Sequence, residues 1–217
     1  MANFYSEEHR EYQDRFETRR LADALHDNVL RSELAEMDRR FINFCDFFFL
    51  STVDHNGYPT ASYKGGHPGF VAILDDKSVA FPIYDGNGMF YSAGNISGSP
   101  KVGMLFIDFE NPRRLRLHGR ASISESDPLI ADYPEAQLIV RVELERIFTN
   151  CPRYIHKYRR LDSSAFVPSA GKEAPVPEWK RVDYLPDTLP ERDRERARQS
   201  GDVISEAEYR KNFWKGL

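Results

Sequence analysis

Short apolar runs broken by turn residues fill the middle of the chain, with no long helical pattern between them. Phe47–Val53 (FFFLSTV) is a run of aromatic and aliphatic residues, followed by Asp54-His55-Asn56-Gly57. An Asn-Gly between two apolar runs signals a hairpin, so residues 58–64 are the return strand. Pro59 stands at its start, where a missing N–H is tolerated. The glycine-rich stretch 65–69 leads to a third strand at 70–74, and Asp75-Asp76-Lys77-Ser78 turns the chain into a fourth at 79–83. Residues 101–109 (KVGMLFIDF) are apolar on both faces, which predicts a central strand. Arg113–Ser124 alternates: Leu115, Leu117, Gly119, Ala121 and Ile123 share one face, and Arg114, Arg116, His118, Arg120 and Ser122 the other. Residues 137–148 alternate again, with Leu138, Val140, Val142 and Leu144 inward. Strands this short with no intervening helices predict an antiparallel, mainly β fold with flanking helices.

The helical patterns lie at the flanks. Residues 6–30 read as one helix, capped by Ser6 with Glu7 and Glu8 in its first turn and a stripe of Leu21, Ala24, Leu25 and Val29. Residues 33–46 read as a second, whose Leu34, Met37, Phe41, Phe44 and Cys45 share a face, so that Cys45 points inward. A short helix is expected at 89–97. Pro152 suits a first helical turn, which would put Cys151 at a helix N-terminus; Cys151 is then either a reactive thiol or an inert packing residue. From Arg159 on, Pro168, Pro175, Pro177, Pro186 and Pro190 punctuate a polar stretch. Trp179 and Trp214 are its aromatic islands, and Ser205 with Glu208 forms a capping pattern for a last helix. The expected organisation is a helical arm (1–40), a β-barrel domain (41–158) and an extended or helical C-terminal arm (159–217) packing on the barrel or on a partner subunit.

Composition narrows the function. The chain has 217 residues and a formal net charge of −4, which argues against a general nucleic-acid binder. Two cysteines make no disulfide framework, the N-terminus has no apolar core, and the longest apolar run is far too short to span a bilayer; a cytoplasmic protein is expected. The six histidines show no metal-ligand spacing, and neither a nucleophile elbow, a Walker loop nor a dinucleotide fingerprint occurs. Any chemistry is therefore expected to reside in a cofactor. Two segments offer a place for an anion: Lys64 in SYKGG, and the DGNG loop at 85–88 ahead of a helix N-terminus. Both glycine clusters can equally be plain turns. The arginine row on Arg113–Ser124 is either a solvated face or a set of cations with anions among them.

The arrangement FFFLSTVDHNGYPTASYKGG, GFVAILDDKSVAFPIYDGNGMFYSAGNI and SPKVGMLFIDFENPRRLRLHGRASI resembles the pyridoxamine 5′-phosphate oxidase-like flavoproteins. The resemblance covers residues 41–154 and is greatest to the subgroup described as predicted flavin-nucleotide-binding proteins. It implies an antiparallel split β-barrel of about six strands. It also implies a homodimer with FMN in clefts between subunits. Ser62, Tyr63 and Lys64 match the family strand that meets the flavin and its phosphate. Pro82, Asn87, Gly88, Met89, Tyr91 and Ser92 match the segment that wraps the flavin edge and phosphate, and Arg114 and Arg116 a strand that reaches the cofactor, often from the partner. The oxidase proper has an Arg-Lys pair near the position of Tyr91-Ser92, which this chain lacks, and its substrate-closing C-terminal segment has no clear counterpart here. The resemblance thus implies FMN binding, with oxidoreductase action on an unidentified small molecule, rather than pyridoxamine phosphate oxidation. A storage, sensing or electron-transfer flavoprotein, or a barrel using deazaflavin or haem, are the alternatives.

Overall fold

Alternating runs become strands here because one face of each can be buried. A computed structural model describes residues 4–215. The chain falls into two compact units, with the boundary between Ser163 and Ser164. In the first, β1 (Phe47–Val53), β2 (Pro59–Gly65), β3 (Ala72–Ile73), β4 (Ser78–Tyr84), β5 (Lys101–Asp108), β6 (Arg113–Ser124) and β7 (Ala136–Thr149) form one sheet in the order β2-β1-β5-β6-β7-β4-β3. Every pairing is antiparallel. The class is the one expected, mainly β with flanking helices and of split-barrel type, but the sheet has seven strands and is not closed. The two-residue β3 pairs only with β4 and adds the extra strand to the expected six.

The core lies on one sheet face. Phe48, Leu50, Met104, Phe106, Leu115, Leu117, Val140 and Val142 are buried there. The Phe48 ring packs edge-on to Phe81 at 4.9 Å and against Phe106 at 5.2 Å. β7 changes phase partway: His118 pairs with Arg146 but Gly119 pairs with Leu144, so Glu145 is an extra, bulged residue. The bulge turns Ile147 into the core, where a strict alternation would have left it outside. Gly119 permits this approach, since a Cβ there would lie 2.2 Å from the Glu143 carbonyl oxygen.

Three helical expectations are corrected. Residues 6–30 form two helices, α1 (Glu7–Arg15) and α2 (Arg19–Val29), because Glu17 takes a left-handed conformation (φ 56°) and folds one back on the other. Arg10 Nη1 bonds Asp23 Oδ1 at 2.6 Å across this hairpin, and Tyr5 Oη donates to the Ala22 carbonyl at 3.1 Å. The second helix is shorter, α3 (Glu36–Phe44), and its expected stripe is rotated. Met37 and Phe44 are exposed, while Asp38 and Ile42 are buried. Asp38 is drawn inward because it pairs with Arg31 and accepts the Ala35 N–H at 2.8 Å. No helix follows Pro152, so Cys151 does not sit at a helix N-terminus. The short helix falls close to expectation, as α4 (Tyr91–Gly98).

The second unit holds a 3-10 turn (Glu178–Arg181), α5 (Glu191–Gln199) and α6 (Glu206–Phe213). Val182, Leu189 and Ala197 are buried in it. Ser205 caps α6 as expected, accepting the Glu208 N–H at 3.1 Å. No helix among the described residues is long and apolar enough to cross a membrane.

One ion pair of the first unit makes stability pH-dependent. Arg141 donates to Asp127 at 2.9 Å, and this bond, with the Leu129 N–H, holds the Asp127 carboxyl down to about 2 from an ordinary 3.8. The folded pKa is the lower one, so the carboxylate stabilises the fold above pH 3.8, and the contribution is lost as pH falls toward 2. The Asp127→Asn variant is expected to lose stability at pH 7 and to show a flatter acid limb in urea unfolding midpoints. Parallel acid limbs for the two proteins would contradict this.

Candidate functional site

The side chains of β2 alternate. Thr60, Ser62 and Lys64 face the core side of the sheet, opposite Thr52, Leu50 and Phe48 of β1. α4 packs near them through polar groups. Ser92 Oγ lies 3.2 Å from Ser62 Oγ, and Lys64 Nζ donates to Ser92 Oγ at 3.3 Å. One turn on, Asn95 Nδ2 donates to Thr52 Oγ1 at 3.0 Å, and Thr52 Oγ1 and Thr60 Oγ1 are 2.6 Å apart. Thr52 and Asn95 are buried, so this polar seam fixes where α4 lies.

The loop before α4 is set by its own chemistry. Gly88 has φ +76° and Phe90 is left-handed at φ 46°. Asn87 Oδ1 accepts the Met89 N–H at 3.1 Å. Tyr91 Oη donates to Asp54 Oδ2 at 2.9 Å, tying the start of α4 to the β1–β2 hairpin.

Lys64 is half-buried, and that burial pushes its pKa below the ordinary lysine value. Its hydrogen bond is to a hydroxyl, and no carboxylate pairs with it among the described residues. A cation removed from water without a counter-charge is costly, and an anion beside it would offset that cost.

The expected site residues divide by sheet face. One rung runs Ser62–Leu50–Met104–Leu117 on the core side. The next runs Tyr63–Phe49–Leu105–Arg116 on the outer side. Ser62, Lys64 and Ser92 therefore come together. Tyr63 stands on the other face, 62% exposed and stacked on Phe47 at 5.2 Å, and Arg114 and Arg116 share that face. Pro82 is buried in β4 opposite Ile139, and Asn87, Gly88 and Met89 line the exposed loop. The seam of Thr52, Thr60 and Asn95 was not anticipated. Its signal was a threonine at an inward position of an otherwise apolar strand.

The family profile described as pyridoxamine 5′-phosphate oxidase matches residues 34–160, more than half of the chain. The chain belongs to the pyridoxamine 5′-phosphate oxidase family. Solved structures similar to it include Group A Streptococcus HupZ (20% identity, 54% of this chain and 93% of that one, TM-score 0.44). An F420 reductase matches at 22% identity over 52% of this chain and 98% of that one, with TM-score 0.41. Vibrio cholerae HutZ, described as a haem storage protein, matches at 20% identity over 54% of this chain and 94% of that one, with TM-score 0.40. No curated protein matches.

The residues of this family member fit a phosphorylated flavin at one end. Lys64, Ser62 and Ser92 supply a cation and two hydroxyls at one spot, and the first turn of α4 adds unpaired N–H groups. Among the described residues no group of three or more His, Cys, Asp or Glu could hold a metal ion.

The two thiols differ sharply. Burial, with Asp108 and Asp46 nearby, pushes Cys45 up to about 12. Cys151 is exposed, and a hydrogen bond with Arg153 lowers its pKa. A thiol reagent is expected to modify one cysteine of the native protein, and Cys151→Ser to abolish that reaction. Rapid modification of both thiols without denaturant would contradict this.

Proposed function

We propose that this protein binds FMN and acts as an FMN-dependent oxidoreductase on a small molecule, as a homodimer in the cytoplasm. The observation that carries the reading is Lys64: a half-buried cation with no carboxylate partner among the described residues, held beside Ser62 and Ser92. Charge-assisted hydrogen bonds from Lys64 and the two hydroxyls would grip the cofactor's phosphate. Bound FMN supplies hydride and electron transfer, and the chain supplies orientation and exclusion of water. The absence of the oxidase's Arg-Lys pair near Tyr91-Ser92 leaves Lys64 as the charge on this face, which speaks against the oxidase's own phosphorylated substrate binding in the same way.

The outer face of β2-β1-β5 supports the homodimer. Phe47 stacks on Tyr63 at 5.2 Å and on Phe109 at 5.9 Å, with Phe49 and Leu105 beside them. An apolar, aromatic sheet face of this kind is suited to a second copy of the chain. Both cysteines are free, which agrees with a reducing compartment.

Titration of the cofactor-free protein with FMN and with riboflavin, followed by flavin fluorescence, tests the reading. FMN is expected to bind at least about tenfold more tightly, because riboflavin lacks the phosphate that Lys64 would hold. Equal affinities would overturn it.

A further inference from the structure

Arg114 and Arg116 stand two residues apart on the outer face of β6, beside the end of β7. Neutral acceptors hold both. Arg114 Nη2 donates to the Cys151 carbonyl at 2.7 Å, and Arg116 Nη1 to Asn150 Oδ1 at 2.7 Å. The Arg116 guanidinium also lies 6.0 Å from the Phe148 ring centroid. Neither arginine pairs with a carboxylate among the described residues. Their neighbours differ: Arg113 pairs with Asp108 at 2.6 Å, and Arg141 with Asp127. Arg114 Nε is shut off from solvent and has no hydrogen-bond partner among the described residues. Burial and the charge of Arg114 push the Arg116 pKa below its ordinary value. Burial, Arg146 and Arg116 do the same to His118 on the same face.

Two like charges held together without a counter-charge are unfavourable, and so is a donor sealed from water. One oxyanion between the guanidinium groups would correct both. Guanidinium forks suit carboxylate and phosphate in particular, and Asn150 and the Cys151 carbonyl already fix the two arginines in place. We infer that Arg114 and Arg116 form an oxyanion site for the carboxylate or phosphate group of a small-molecule substrate, on the sheet face opposite Lys64. The inference rests on the function proposed above only in giving the Lys64 side to the cofactor. The other source of the same chemistry is the phosphate of a cofactor bound to a second copy of the chain.

Calorimetric titration of inorganic phosphate into the full-length, FMN-loaded protein separates these sources. Loaded protein is expected to take up a single phosphate per chain. The R114Q/R116Q double variant is expected to lose about tenfold or more of that affinity, the value of a charged hydrogen bond. Its FMN affinity is expected to stay at the unsubstituted value. The Asn150→Ala variant keeps both charges and is expected to lose phosphate affinity by a smaller factor, so the test survives if the double variant does not fold. Absence of phosphate uptake by loaded protein overturns the inference, as does unchanged phosphate affinity in the folded variants. A fall in FMN affinity in the double variant also overturns it, and assigns the pair to the cofactor. If the chain takes up no FMN, the functional proposal fails separately. Phosphate titration of cofactor-free Lys64→Ala protein then still reads the arginine pair: uptake lost on adding R114Q/R116Q supports the site, and no uptake overturns it.

Discussion

Replacing Lys64 with alanine is expected to weaken FMN binding by about 1.5–3 kcal/mol, the value of a hydrogen bond to a charged group. The effect arises in the cofactor-free state as much as in the bound one. Lys64 sits on the core side of β2 opposite Phe48, and burial already disfavours its charge. An arriving phosphate restores a counter-charge, so binding gains both the new bond and relief of that cost. Alanine removes both, and it also removes the unpaired cation from the free protein. The free variant should therefore unfold at the same urea concentration as the original protein, or a higher one. This separates a binding role from a structural one. Lys64→Arg keeps a positive charge and should retain more of the affinity than alanine. An unchanged FMN affinity in Lys64→Ala would remove this residue from the site.

Replacing Asp193 with alanine is expected to destabilise the second unit by about 3–5 kcal/mol, the cost of leaving a buried charge uncompensated. Lys180 is 4% exposed and Asp193 7% exposed, with Nζ and Oδ2 3.0 Å apart. The pair joins the turn at Glu178–Arg181 to the first turn of α5. Few apolar side chains are buried around it in this unit, so one broken pair is a large fraction of what holds it. The Trp179 ring lies 5.6 Å from Lys180 Nζ and reports on the pair. Urea unfolding followed by its fluorescence, in a Trp214→Phe background, measures the loss. A Lys180→Met/Asp193→Leu double variant should recover most of it, because no charge is then stranded. A loss below about 1 kcal/mol in Asp193→Ala, the size typical of an exposed ion pair, would contradict this.

Much of the sheet was legible because its signal is local. A strand with one buried face must alternate, and β6 shows this from Leu115 to Ala121 without a break. The failures have non-local causes. The bulge at Glu145 depends on Gly119 of the facing strand. The break at Glu17 carries neither glycine nor proline, and only the Arg10–Asp23 pairing across the hairpin accounts for it. Asp38 displaces Met37 from the buried face of α3 because Arg31, from outside the helix, needs a partner. At the candidate site the resemblance supplied Ser62, Lys64 and Ser92, which the structure brings together. The strand period already implied that Tyr63 points away from Ser62 and Lys64. The polar seam through Asn95 and Thr52 spans forty-three residues of sequence, beyond the reach of any local pattern.

The most direct measurement is the absorbance spectrum of the purified full-length protein, with identification of the chromophore released on heating. A flavin spectrum with FMN as the released species is the expected result. A colourless protein that also fails to bind added FMN would contradict the FMN assignment, as would a haem band or a released deazaflavin.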